Sequence, residues 1–311
     1  QPIYGKADLE ALSLPESWPG LPPFVRGSTA SGNKKRPWLI AQELPYGCVE
    51  KFNTALKSDL MRGQNSVAIL PDVATRLGLD PDEASAGEVG ECGLSLATLD
   101  DASRAFAGVD FQAAPVLAFA GVSALPLAGL LQAFASEKGF SGAVLADPLT
   151  EWARDGKLTM SLDEAYAEMA TVSKWAVGKG IRTVGIQANL WADAGGTAVE
   201  ELAFGLATGT AYFRALATAG LPEDEIAPRF VMSLSLGSNL FMQIAKLRAA
   251  RLLWDRIVES FGVKPAPLFI HGRCSIFNKS VLDPHTNMLR ATAEGFAGVV
   301  GGVDSMHVAA F

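Results

Sequence analysis

Cysteine and histidine are scarce in this chain of 311 residues, with three of each. Cys48, Cys92 and Cys274 lie far apart and form no Cys-x-x-Cys pair. That excludes a disulfide framework and leaves free thiols in a reducing cytoplasm as the expectation. A zinc site needs clustered ligands, which these residues do not supply. Positive charge is short too: 26 Lys and Arg stand against 33 Asp and Glu, a net of −7. An acidic chain has no electrostatic footprint for nucleic acid and no basic stripe for an anionic membrane. The basic run Lys34-Lys35-Arg36 is too short to change this. The longest apolar run, 115–131, is broken by Gly121, Ser123, Pro126 and Gly129, so no membrane span is expected. No signal peptide is visible, and an opening Gln1 in place of Met reads as a processed or trimmed piece.

Two regions differ in what they do contain. Residues 1–60 carry Pro2, Pro15, Pro19, Pro22, Pro23 and Pro37 among several glycines. Proline fixes φ and removes a backbone donor, so an extended arm is expected there. Trp18, Phe24 and Trp38 in that arm need something to pack on, either the chain's own body or a partner. Residues 61–311 show short apolar runs at 66–70, 94–98, 116–119, 143–146, 183–187, 230–234, 268–270 and 298–300. Each reads as a buried parallel strand bounded by Gly, Pro or Asp. Helical patterns alternate with them. One over 162–177 opens on the capping pair Ser161 and Glu164, and one over 238–261 closes at Gly262. Eight strands alternating with helices predict an α/β fold, a (β/α)8 TIM barrel with an N-terminal arm; a doubly wound sheet is the alternative. A stop at Phe311 just after the expected eighth strand suggests a fragment of something longer.

In a barrel, chemistry sits at the C-terminal ends of the strands. Asp147, His271, Arg273 and His307 fall there and form a candidate polar site with acid/base capacity. Helix capping and loop bonding are the plainer use of such residues. No Gly-x-Ser-x-Gly elbow is present, and Gly178-x-Gly180 ends a helix instead of following a strand, so a hydrolase triad and a dinucleotide fingerprint both fail.

Several segments add a resemblance. Arg36-Pro37-Trp38-Leu39-Ile40-Ala41-Gln42, preceded by Pro23-Phe24-Val25-Arg26-Gly27, resembles the arginine-proline-tryptophan signature of methylmalonyl-CoA mutases. Ala86-Gly87-Glu88-Val89-Gly90, Ala245-Lys246-Leu247-Arg248-Ala249-Ala250-Arg251-Leu252-Leu253-Trp254, Asp283-Pro284 with Asn287-Met288-Leu289-Arg290, and Gly301-Gly302-Val303-Asp304-Ser305-Met306-His307 match the family in order. The resemblance implies a substrate-binding (β/α)8 barrel and an enzyme that uses adenosylcobalamin. The departures lie where catalytic members carry a tyrosine, a glutamine and a histidine; here Asn33, Leu145 and Leu190 stand in those places. Asp283-Pro284-His285 lacks the glycine of the cobalamin motif.

The resemblance therefore implies the small, non-catalytic subunit of a heterodimeric mutase. It would have no catalytic, cofactor or metal residues of its own. Adenosylcobalamin would sit on a catalytic large subunit, and a homodimer is possible when the chain is isolated. An active acyl-CoA mutase barrel with altered specificity, working with a separate cobalamin-binding subunit, is the second reading. An unrelated barrel enzyme using Asp147 and His271 is the third.

Overall fold

The computed structural model describes residues 6–11, 17–35 and 37–309. Pro2, Pro15 and Arg36, the first residue of the signature, lie outside them. The elements run α1 (Lys6–Ala11), β1 (Leu39–Ile40), α2 (Val49–Met61), β2 (Val67–Ile69), α3 (Val73–Arg76), α4 (Leu99–Ala105), β3 (Val116–Gly121) and α5 (Ala124–Ala135). They continue with β4 (Gly142–Ala146), α6 (Pro148–Asp155), α7 (Leu162–Trp175), β5 (Arg182–Gln187), α8 (Asn189–Asp193), α9 (Ala198–Thr218) and α10 (Glu223–Ile226). Last come β6 (Phe230–Leu236), α11 (Leu240–Ser260), β7 (Phe269–Cys274), α12 (Pro284–Gly301) and β8 (Ser305–His307).

The eight strands form one parallel sheet in the order β1-β8-β7-β6-β5-β4-β3-β2. It is curled as in a (β/α)8 barrel, with the helices outside. β1 and β2 meet at Asn65. Its side-chain oxygen accepts the Ile40 amide at 2.7 Å, and its own amide reaches the Ile40 carbonyl at 3.4 Å. Central strands are buried on both faces, as their continuous apolar runs require: every residue of β3 and β6 is buried. Where β4 starts beside β3, a side chain on Gly142 would overlap the Val116 carbonyl, and its φ of 114° suits glycine.

Capping residues set the helix starts. Thr98/Asp101, Ser161/Glu164 and Thr197/Glu200 each form a reciprocal capping box at the heads of α4, α7 and α9. Asp147 caps α6, with Pro148 at its first position.

Three expectations change. Residues 94–98 form a single bridge, Leu94 to Pro71, because Thr98 commits its backbone and hydroxyl to capping α4. Residues 298–300 end α12. A short apolar run cannot distinguish a buried helix from a strand, and the Gly298 and Gly301 face of this one packs closely on Leu236, Met306 and Leu247. The last strand comes later, at Ser305–His307, and the first comes from within the stretch read as an arm, where Leu39–Ile40 pairs with β8. Phe24 is buried, Trp38 half-buried, and Trp18 is 66% exposed. Among the described residues, no helix is long and apolar enough to cross a membrane.

Candidate functional site

Inward residues from alternate positions fill the barrel in layers. Ala41, Ala68, Leu117, Phe119, Ala143, Leu145 and Val231 form one buried cluster along the axis, with Leu70 and Phe269 packed on it. Leu145 is 1% exposed, and its Cβ lies so near Gly185 that a methyl there would stand 3.0 Å from it. Burying a leucine of this kind contributes roughly 2 kcal/mol. His271 shares this interior. Its ring sits 5.4 Å from that of Phe119, and its Nδ1 lies 2.9 Å from Ser305 Oγ. Burial pushes the imidazole down to about 3, so it is neutral.

Above the apolar layer the C-terminal mouth turns polar, and its charges are bound to one another. The Arg273 guanidinium donates from Nε to Glu43 Oε1 at 2.9 Å and from Nη2 to Glu43 Oε2 at 3.0 Å. Its Nη1 reaches Asp193 at 3.5 Å. Burial works against the charge on Glu43, but His307 and Arg273 hold it down at about 2. Burial also holds His307 towards neutrality, so the Arg273 fork is the lasting cause. His307 Nδ1 accepts the Glu43 amide at 3.1 Å. On the other side, Glu151 lies wholly buried between Arg76, with which it is hydrogen-bonded, and Arg154, 2.7 Å away. Arg154 also donates to Gln187 Oε1 at 3.1 Å.

Asp147 does not face the mouth as a free acid. It accepts the Tyr212 hydroxyl at 2.6 Å and the Gln187 amide at 2.7 Å, tying β4 to β5 and α9. Burial raises it to about 6 despite those bonds. It also caps α6, the plainer use expected of such a residue. Of the four residues grouped on sequence, Arg273 and His307 meet through Glu43, His271 sits below them in the axis, and Asp147 belongs to the wall. Glu43, Arg76, Glu151 and Arg154 were missed, because their partners lie up to 230 residues away. The signal for Glu43 was its period-two spacing from Leu39 and Ala41.

The three departure positions are not brought together. Leu145 fills the axis, and Leu190 lines the mouth. Asn33 lies at the opposite end, beside a cavity of about 330 Å3 that Arg26, Trp38, Arg182 and Phe269 also line. Residues 283–285 open α12. Among the described residues, no group of three His, Cys, Asp or Glu could hold a metal ion.

Comparison with known proteins gives the chemical context. The family model described as methylmalonyl-CoA mutase matches residues 1–311. A methylmalonyl-CoA mutase of Escherichia coli (strain K12) is 32% identical over 322 residues, covering 100% of this chain and 45% of that protein. A methylmalonyl-CoA mutase large subunit of Porphyromonas gingivalis is 32% identical, covering 99% and 44%. The mitochondrial methylmalonyl-CoA mutase of Homo sapiens is 29% identical, covering 100% and 43%. The chain thus spans less than half the length of these relatives.

Proposed function

Because the chain belongs to the methylmalonyl-CoA mutase family, we propose that it is the small, non-catalytic barrel subunit of a coenzyme B12-dependent mutase. The complex would interconvert methylmalonyl-CoA and succinyl-CoA, and this chain would stabilise its catalytic partner. The observation that carries this is the filled axis. Leu145 packs among Leu117, Phe119 and Val231 where a glutamine would otherwise offer a donor. Radical rearrangement needs the acyl thioester clamped by preorganised donors. Leu145 and Leu190 offer none, and the mouth's cations are already paired with Glu43, Glu151 and Asp193. Adenosylcobalamin would then be held by the partner.

The name of the Porphyromonas gingivalis relative, a large subunit, fits an enzyme made of unlike chains. The surface supports a partner as well. In the loop after β7, Asn278 and Lys279 turn inward to the buried Glu294, at 2.8 and 2.6 Å, while Val281 and Leu282 stand 94% and 99% exposed. A loop fixed with its apolar side chains outward is suited to docking. The segment 1–60, with Trp18 exposed, is the second proposed contact. A cytoplasmic setting accords with the free thiols.

The test is an isomerisation assay with methylmalonyl-CoA and adenosylcobalamin, using the purified chain with and without a large subunit. Activity only in the presence of the large subunit is expected. Turnover by this chain with a separate cobalamin-binding protein alone would overturn the proposal in favour of an active barrel.

A further inference from the structure

The inner face of α12, from Asn287 through Ala291, Glu294 and Gly298, is buried. Its outward face is apolar and open. Met288, Leu289, Thr292, Ala293, Phe296 and Val300 follow one another there at helical spacing, and all are exposed. Leu289 is 70% exposed and Phe296 59%. Neither Asp, Glu, Lys nor Arg lies on that face. Glu294 is turned inward and holds Lys279 at 2.6 Å. Arg290 lies to one side and donates to Asn287 Oδ1 at 3.0 Å. Thr292 gives its hydroxyl to the Met288 carbonyl at 2.7 Å, so the polar atom at the centre of the face is already satisfied.

An exposed apolar stripe marks an interface, and three observations point to a second copy as its occupant. The stripe reads alike in both directions. About a midpoint between Thr292 and Ala293, Leu289 on one side balances Phe296 on the other, and one turn further out His285 balances Val300. Two such helices laid antiparallel about a two-fold axis set the small residues against each other at the centre. Leu289 of each copy then meets Phe296 of the other on either side. A two-fold contact demands this self-complementarity, because the same patch serves both chains. Charge agrees. Each chain carries a net −7, so two copies repel over much of their surface, and their contact needs a face that adds no like charge. Area agrees too. With Val281 and Leu282, exposed just before the helix, these side chains leave roughly 800 Å2 open, about what one partner buries in a standard interface.

We propose that the isolated chain pairs with a second copy of itself through the outward face of α12, the helices antiparallel and Leu289 of each copy set against Phe296 of the other. Val281 and Leu282 are also the residues proposed to meet an unlike subunit, so the like pair is the form taken when that subunit is absent. The pairing is independent of the non-catalytic reading: one is tested by mass, the other by turnover, and either can fail alone.

Sedimentation equilibrium of the full chain at roughly 1–100 µM should reach twice 32.7 kDa at the upper end. No larger species should follow, because a two-fold contact closes on itself. Phe296→Glu should weaken association at least roughly hundredfold, since it buries an unpaired charge in each half of the contact. Leu289→Lys should do the same. Both side chains point outward, so circular dichroism and the thermal midpoint of each variant should match wild type. Leu289→Lys with Phe296→Glu in one chain should dimerise again, to within about tenfold of wild type, because each ammonium then faces a carboxylate of the other copy. A wild-type chain that stays at 32.7 kDa, a continuing series of larger species, single variants that dimerise as wild type does, or a double variant that stays monomeric would each overturn the pairing.

Discussion

Acid should weaken this barrel through one histidine, and His271→Leu should reveal by how much. The ring is enclosed in the axis against Phe119 and Ser305, and its Nε2 has no partner among the described residues. Burial lowers its pKa from 6.5 to about 3, with Glu43 pulling the other way and His307 and Arg273 reinforcing the shift. Below 6.5 the unfolded chain binds a proton that the folded chain refuses. The stability tied to neutral His271 is therefore complete above 6.5 and is lost as the pH falls towards 3. The slope is about 1.4 kcal/mol per pH unit, or roughly 2 kcal/mol by about pH 5. His307, also lowered by burial, acts with the same sign.

Asp147 acts with the opposite sign. Its folded pKa, about 6, lies above its ordinary 3.8, so its contribution grows as the pH falls through that window. The wild-type profile blends these effects, and the difference between wild type and His271→Leu isolates one of them. Leucine leaves Ser305 Oγ without a partner, a cost of roughly 1 kcal/mol that is independent of pH. Urea unfolding followed by tryptophan fluorescence, from about pH 7.5 to pH 5, gives both profiles. The variant should lose less stability on acidification, by about 2 kcal/mol at the low end. Parallel profiles would mean that His271 charges freely in the folded barrel and that the enclosed axis is wrong.

Tyr212→Phe removes a hydroxyl that holds the Asp147 carboxylate at 2.6 Å and receives the Leu149 amide at 2.8 Å. The loss should be about 2 kcal/mol at neutral pH and should shrink below about pH 6 as Asp147 takes up its proton; urea titrations at two pH values read this directly. Lys246→Met strands Glu201, which is wholly buried and 2.5 Å from the ammonium. A thermal or urea midpoint should register a loss of roughly 3–5 kcal/mol. Lys246→Met with Glu201→Leu in the same chain should recover most of it, and a double variant as weak as the single one would count against the pairing.

The central strands β3 to β7 were legible because parallel strands buried on both faces leave unbroken apolar runs. The start of α7 was legible because Ser161 and Glu164 carry its cap within four residues. β1 was not, since two residues show no period and Leu39–Ile40 takes its identity from Ser305 and Met306 far along the chain. Residues 298–300 misled because Val299 and Val300 serve a helix end as readily as a strand. At the mouth, Arg273 and His307 were named as strand-end residues. Glu43, which binds both, was not: its period-two spacing from Leu39 and Ala41 marks the face it shares with them, but not the distant partners it pairs with. The replacements at Leu145 and Leu190 were visible only against a family pattern, and the packing that gives Leu145 its meaning needed coordinates.

The pairing of β1 with β8 fixes a timetable for synthesis. Leu39 and Ile40 leave the ribosome long before their ladder partners at 305 and 306. Ser28 waits equally long for Asp304, which it meets at 2.7 Å across 276 positions. Until then the N-terminal stretch has Trp38 and an unpaired strand edge on offer, a state prone to wrong partners. Loop closure over such a separation is slow. Segments far apart in the order of synthesis therefore shelter one another, and a cell short of chaperones should lose this protein through its nascent form more than through its finished one.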